Sequence, residues 1–125
     1  MFTIDYKSHL PIYEQLVESV KVQVLTGVLQ ADDPLPSVRQ LSGQLGINPN
    51  TVQKAYALLE QQGIIYAVPG KGNFISPDTD TLRQQQAQTL QKEFINLAQQ
   101  LRELGLTLDE VQSMTAQAFR EEESR

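Results

Sequence analysis

Residues 35 to 75 read LPSVRQLSGQLGINPNTVQKAYALLEQQGIIYAVPGKGNFI, and the punctuation inside this stretch decides the fold. Ser37 is a helix N-cap, followed by Val38, Leu41, Ser42 and Leu45 along one side, and Gly46 ends that short helix. Asn48 is the next N-cap, and Pro49 fits the first helical position, where its missing N–H would have gone unpaired anyway. The inward face of this helix is Val52, Ala55, Tyr56 and Leu59, with Gly63 as its stop. Two short apolar runs, IIYAV and NFI, then flank the turn PGKG, which predicts a hairpin. The two helices are separated only by GIN, the spacing of a helix-turn-helix, and the hairpin lies beside it as a wing.

Upstream, Pro11 opens a helix with Ile12, Leu16, Val20, Val24 and Leu25 on its apolar side, and Gly27 closes it. FTIDY alternates apolar and polar residues and is expected as a short edge strand, while QADDPLP is a proline-punctuated loop. Downstream, the composition shifts from Thr79 to Gln, Leu and Glu. Leu90, Phe94, Leu97, Leu101 and Leu104 form a seam with the 3.5-residue period of helix pairing. Gly105 interrupts it, and Thr107 with Glu110 makes a capping box for a last helix carrying Leu108, Val111, Met114, Ala118 and Phe119. The expected fold is mainly α with a small β-hairpin wing. A winged helix-turn-helix domain over 1–76 is followed over 77–125 by a two-helix appendage for dimerisation and effector response.

The composition excludes several functions. With no cysteine, the chain has no disulfide, no thiolate nucleophile and no zinc-thiolate site. His9 is the one histidine and lacks metal-ligand company; PGKG lacks the spacing of a phosphate-binding loop. An enzyme is not expected, nor a cofactor, a metal, a secretory signal or a membrane span, and the cytoplasm is the expected compartment. The net charge of −5 is uneven. Up to Ser76, five Lys/Arg face six Asp/Glu; from Pro77 on, five face nine. The acidity is thus concentrated in the tail (Glu93, Glu103, Asp109, Glu110 and the run 121–123), where the carboxylates form solvated helix faces.

Asn48, Asn50 and Thr51 place short donors and acceptors at a helix N-terminus, where unpaired backbone N–H groups and the helix dipole favour a phosphate. Gln53 and Lys54, one turn further, reach deeper: Gln can bond adenine through two hydrogen bonds, and Lys can reach guanine or phosphate. Tyr13, Tyr56 and Tyr66 read as packing residues.

Taken together, LPSVRQLSGQLGINPNTVQKAYALLEQQGIIYAVPGKGNFI and the preceding IYEQLVESVKVQVLTGVL resemble the GntR family of bacterial winged-helix transcription regulators. The resemblance spans about residues 1 to 76, and the short remainder is similar to the YtrA-like subfamily. It implies DNA contacts from Arg39 in the second helix and from Asn48, Asn50, Thr51 and Gln53 at the recognition-helix positions. Gly70 and Lys71 match the wing tip. Ser37 and Lys54 complete the expected DNA-binding set. Some members carry Arg where this chain has Pro49 and Gln53, so the reading head is less basic here and operator preference does not transfer. ADD at 31–33 replaces a more usual Gly-Asp.

The reading is then a homodimeric regulator, a repressor, of an inverted-repeat operator in double-stranded DNA, joined through Leu90, Phe94, Leu97, Leu101 and Leu104. The resemblance implies control of its own operon with ATP-binding-cassette transport genes. A small-molecule effector would have to bind between head and tail or at the tail dimer. The alternative is a winged-helix protein-interaction module without DNA binding, for which exposed Leu, Phe or Met would be expected on the recognition face.

Overall fold

The computed structural model describes residues 2–123; the side chains of Glu122 and Glu123 lie outside the described residues. Its elements run α1 (Ile12–Leu25), α2 (Val38–Leu45), α3 (Pro49–Gln61), β1 (Ile65–Val68), β2 (Gly72–Ile75), α4 (Thr79–Glu103) and α5 (Leu108–Glu123). Contacts divide the chain into a head unit that ends at Arg83 and a tail unit that starts at Gln84.

In the head, α1 buries Leu16, Val17, Val20 and Val24 against Val52, Ala55, Tyr56 and Leu59 of α3. Leu41 from α2 and Ile64, Ile65 and Ile75 from the hairpin close the same core. At about 1.5–3 kcal/mol for each fully buried aliphatic side chain, this one cluster supplies the main stabilisation of the head. The hairpin is antiparallel, in register from Ile65↔Ile75 to Val68↔Gly72. Backbone bonds Asp32 N–H to the Ile75 carbonyl, Ile75 N–H to that of Asp33 and Leu35 N–H to that of Asn73 run the preceding loop along β2. That loop therefore does more than connect, since Leu29 before it and Leu35 within it are both in the core.

One expectation fails here. FTIDY forms no strand: Phe2 and Ile4 lean on the core in irregular backbone. At Asp5 a side chain, Gln15, stands where a neighbouring strand would bond. Its Oε1 accepts from Asp5 N–H at 2.9 Å, and its Nε2 donates to the carbonyls of Asp5 at 3.0 Å and Leu10 at 2.8 Å. With both of its backbone groups satisfied, Asp5 needs no ladder partner.

The join between α2 and α3 is fixed in length. Gly46 adopts the left-handed conformation (φ 66°) that closes α2, and its N–H bonds the Ser42 carbonyl. The Ser42 hydroxyl donates to the Ile47 carbonyl at 2.5 Å, which ties the turn back to the helix it leaves. At the end of the head, Arg83 in the first turns of α4 donates through Nε to the Leu25 carbonyl (3.1 Å) and through Nη2 to that of Val24 (3.3 Å). The cation thereby satisfies the Leu25 carbonyl and shares that of Val24 with Gly27 N–H at the C-terminus of α1, where the helix dipole favours positive charge.

The tail is different in kind. α4 has no buried side chain. Along the seam, Leu90, Phe94 and Leu97 are more than half exposed and Leu104 is 78% exposed, while Leu101 alone is half-buried. Leu108 and Phe119 on α5 are also exposed. The capping box forms as expected, with Glu110 N–H to Thr107 Oγ1 at 3.2 Å and Thr107 N–H to Glu110 Oε1 at 3.4 Å.

Candidate nucleic-acid interface

Ser37 and Arg39 stand at the start of α2, Asn48 to Lys54 on the first turns of α3, and Gly70 and Lys71 at the hairpin tip, all within the head. The capping at α2 is reciprocal. Ser37 Oγ accepts from Gln40 N–H at 3.0 Å, and Gln40 Oε1 accepts from Ser37 N–H at 2.9 Å. Arg39, one residue into the helix, is exposed and forms no ion pair among the described residues.

At α3 the structure refines the electrostatic argument. Asn48 Oδ1 accepts from Asn50 N–H at 2.8 Å, and the Asn48 carbonyl takes the N–H groups of Thr51 and Val52. Pro49 has no N–H. The backbone amides expected to greet a phosphate are thus already engaged, and what the first turn offers is side-chain donors plus the helix dipole. The caps use acceptor atoms only. The Ser37 hydroxyl hydrogen and the Asn48 amide hydrogens stay available as donors, which suits an anionic backbone.

The exposed side of α3 carries Asn50, Gln53, Lys54, Ala57 and Glu60, opposite the buried Val52, Ala55, Tyr56 and Leu59. No large apolar side chain of α3 is exposed. Its orientation on α2 is pinned by Tyr56, whose hydroxyl donates to the Pro36 carbonyl at 2.6 Å, just ahead of the Ser37 cap. Burial pushes that phenol up to about 12.

The wing tip is a type II turn. Pro69 occupies its second position, Gly70 its third with φ 78°, and Lys71 N–H closes on the Val68 carbonyl at 2.9 Å. A strand of four residues spans about 10 Å, so Lys71 is displayed well clear of the core and is exposed, with no ion pair among the described residues. At the hairpin base, Tyr66 stacks on Phe74 with centroids 5.6 Å apart, and its hydroxyl donates to Asp32 Oδ1 at 2.7 Å. That hydrogen bond to a carboxylate raises the Tyr66 pKa, with burial second and the Asp32 charge third. Asp32 itself has φ 65°, the left-handed region.

Long-range contacts escaped the reading of the sequence. Lys54 Nζ sits 4.0 Å over the ring of Tyr13, and Tyr66 reaches Asp32 across the hairpin base. No periodicity or local motif signals pairs so distant along the chain.

The family profile described as bacterial regulatory proteins, gntR family, matches residues 12–75. The HTH-type transcriptional repressor YtrA of Bacillus subtilis is 43% identical over 93 residues, covering 74% of this chain and 72% of that protein. A transcriptional regulator from Oenococcus oeni, known from its crystal structure, superposes with a TM-score of 0.79 at 34% identity, covering 95% of this chain and 99% of the other. The DNA-binding domain of AraR, crystallised with its operator ORE1, has a TM-score of 0.52 at 29% identity over 61% of this chain and 93% of that one.

Proposed function

The chain belongs to the GntR family of bacterial regulatory proteins, which are DNA-binding regulators of transcription and not enzymes, and on that premise we propose that it is a homodimeric repressor of an inverted-repeat operator. The observation that carries this reading is the character of α3: a polar exposed side bearing Asn50, Gln53 and Lys54, with Arg39 and Lys71, which form no ion pair among the described residues, on neighbouring elements. A protein-docking helix would expose large apolar side chains, and this one exposes none. In the complex of AraR with its operator, a domain similar to this head is bound to DNA. YtrA, similar over nearly three quarters of this chain, is a repressor.

In this reading Arg39 and Lys71 grip phosphates with help from Ser37 and Asn48, and Asn50, Thr51 and Gln53 supply base preference. The wing brings Gly70 and Lys71 to the minor groove. Dimerisation uses the tail seam. Leu90, Phe94, Leu97, Leu101 and Leu104 are mostly half exposed or more. Covering them would contribute roughly 1 kcal/mol per side chain, about 10 kcal/mol over the ten in a dimer, within the range of the cost of association. Two heads related by a two-fold axis would then read half-sites separated by a whole number of DNA turns. The regulated genes are its own operon, with transport genes, and the protein acts in the cytoplasm.

The test is a fluorescence-anisotropy titration against the DNA upstream of its own gene, with random DNA as control. Selective binding by the wild type, lost in an Arg39→Ala, Lys71→Ala double variant, supports the reading. A folded dimer that binds no DNA would instead support the protein-interaction module, to which the net charge of −5 gives some weight.

A further inference from the structure

Seen down its axis, α3 has three strips. Val52, Ala55, Tyr56 and Leu59 face inward and are buried; Asn50, Gln53 and Ala57 face outward and are exposed. Thr51, Lys54 and Leu58, spaced i, i+3 and i+7, form a flank between these two strips. Thr51 and Leu58 are half-buried, and Leu58 packs on the core. Lys54 is exposed, yet its ammonium is placed 4.0 Å over the ring of Tyr13 in the first turn of α1. This flank of α3 is thus the one that meets the start of α1.

The Tyr13 hydroxyl donates to Glu14 Oε1 at 3.0 Å. Donation to a carboxylate pushes electron density into the ring and makes its face a better seat for a cation. The same hydrogen bond, with the Glu14 charge next, raises the Tyr13 pKa, so the phenol stays protonated and remains a donor at neutral pH.

A helix lying in the major groove meets base edges with its outward strip and the two phosphate walls with its flanks. We propose, building on the DNA-binding reading above, that Tyr13 is a positioning residue. It holds the Lys54 ammonium on the α1 flank of the recognition helix, where Lys54 grips a backbone phosphate and reads no base. Base discrimination is left to Asn50 and Gln53 on the outward strip, with Thr51 assisting from the first turn. The observation beneath this is one contact, Lys54 Nζ over the Tyr13 ring.

The experiment is anisotropy across a salt series with the full-length protein. It uses the upstream duplex, base-substituted versions of it, and a random duplex. Lys54→Ala is expected to weaken every duplex by the same factor and to lower the slope of log K against log salt by about one per chain. Tyr13→Phe keeps the ring and stays within twofold of wild type. Tyr13→Leu loses about two- to fivefold, and adds nothing further when Lys54 is already Ala. Thermal unfolding shows which variants remain folded, and should Tyr13→Leu not fold, Tyr13→Met removes the ring in its place for the same comparison with and without Lys54.

The proposal is overturned if Lys54→Ala changes the ranking of base-substituted duplexes, since Lys54 would then read a base. It is also overturned if Tyr13→Leu weakens binding equally with and without Lys54, because Tyr13 would then act through packing alone. Wild-type binding with Tyr13 and Lys54 uncoupled removes this assignment and leaves the regulator intact. No wild-type binding to any duplex removes both.

Discussion

Tyr56→Phe isolates one oxygen at the junction of the two helices that build the interface. The ring of Tyr56 is 3% exposed and stays in place as Phe, so packing is unchanged. What is lost is the hydroxyl bonded to the Pro36 carbonyl at 2.6 Å. A net hydrogen bond of this kind is worth about 1 kcal/mol, and water can reach the half-buried Pro36 to replace it in part. At neutral pH the variant should therefore be less stable by about 1 kcal/mol, or about 4–8 °C for a unit of this size. The phenol pKa, held at about 12 in the fold by burial, falls to the ordinary value of 10 on unfolding. A raised pKa favours the neutral form. Its stabilising contribution is complete below pH 10 and is lost as pH rises from 10 to 12. The rise from 10 to about 12 corresponds to at most about 3 kcal/mol, and solvent screening near the polar end reduces this to about 1–2 kcal/mol. Urea unfolding followed by circular dichroism at neutral pH and at several values between 10 and 12 measures both effects. Tyr13 and Tyr66 are present in both proteins and cancel in the difference. Wild type should lead at pH 7 and lose its lead by pH 12. Parallel curves over that window would refute the claim that the fold holds this phenol neutral.

Arg83→Ala removes the cation that caps α1, with an expected cost of about 1–2 kcal/mol to the head, measured as a lower urea midpoint. At Asp32, where φ is 65°, the expected order of thermal stability is Asn close to wild type, then Gly, then Ala. Asn tolerates this backbone and keeps an oxygen for Tyr66, Gly keeps only the backbone freedom, and Ala keeps neither, at a cost of about 1–2 kcal/mol. Leu97→Glu puts a charge into the tail seam, and sedimentation velocity should show a monomer with a folded head and weakened binding to DNA; an unchanged dimer would mean that the seam is not the interface.

Much of the head was legible because its signals are local. The Ser37 cap, the Gly46 stop, the Asn48–Pro49 helix start and the PGKG turn each act over four residues or fewer, as does the Thr107–Glu110 box in the tail. The buried strip of α3 follows from periodicity, and all four residues expected inward are buried. What could not be read is carried by side chains reaching far along the chain. Gln15 bonds both backbone groups of Asp5, ten residues back, in the segment expected as a strand. Arg83 counted among the tail charges, yet it caps a helix that ends 58 residues earlier. Leu29 and Leu35 looked like the margins of a polar loop and belong to the core. The engaged amides of α3 were hidden for another reason. A cap residue announces where a helix begins, but not which donors it leaves unused.

The locked turn between α2 and α3 constrains how proteins built like this can change. With Gly46 bonded back to Ser42, and Ser42 bonded forward to Ile47, the turn has no slack to absorb an added residue. One residue inserted there would break one or more of these bonds and loosen the entry into α3. Side chains at 49, 50 and 53 can be exchanged freely by comparison, since they are exposed and none holds the core. Substitution on the exposed side of α3 therefore leaves the fold in place, while a change in the length of the turn ahead of it costs the bonds that set the helix on α2.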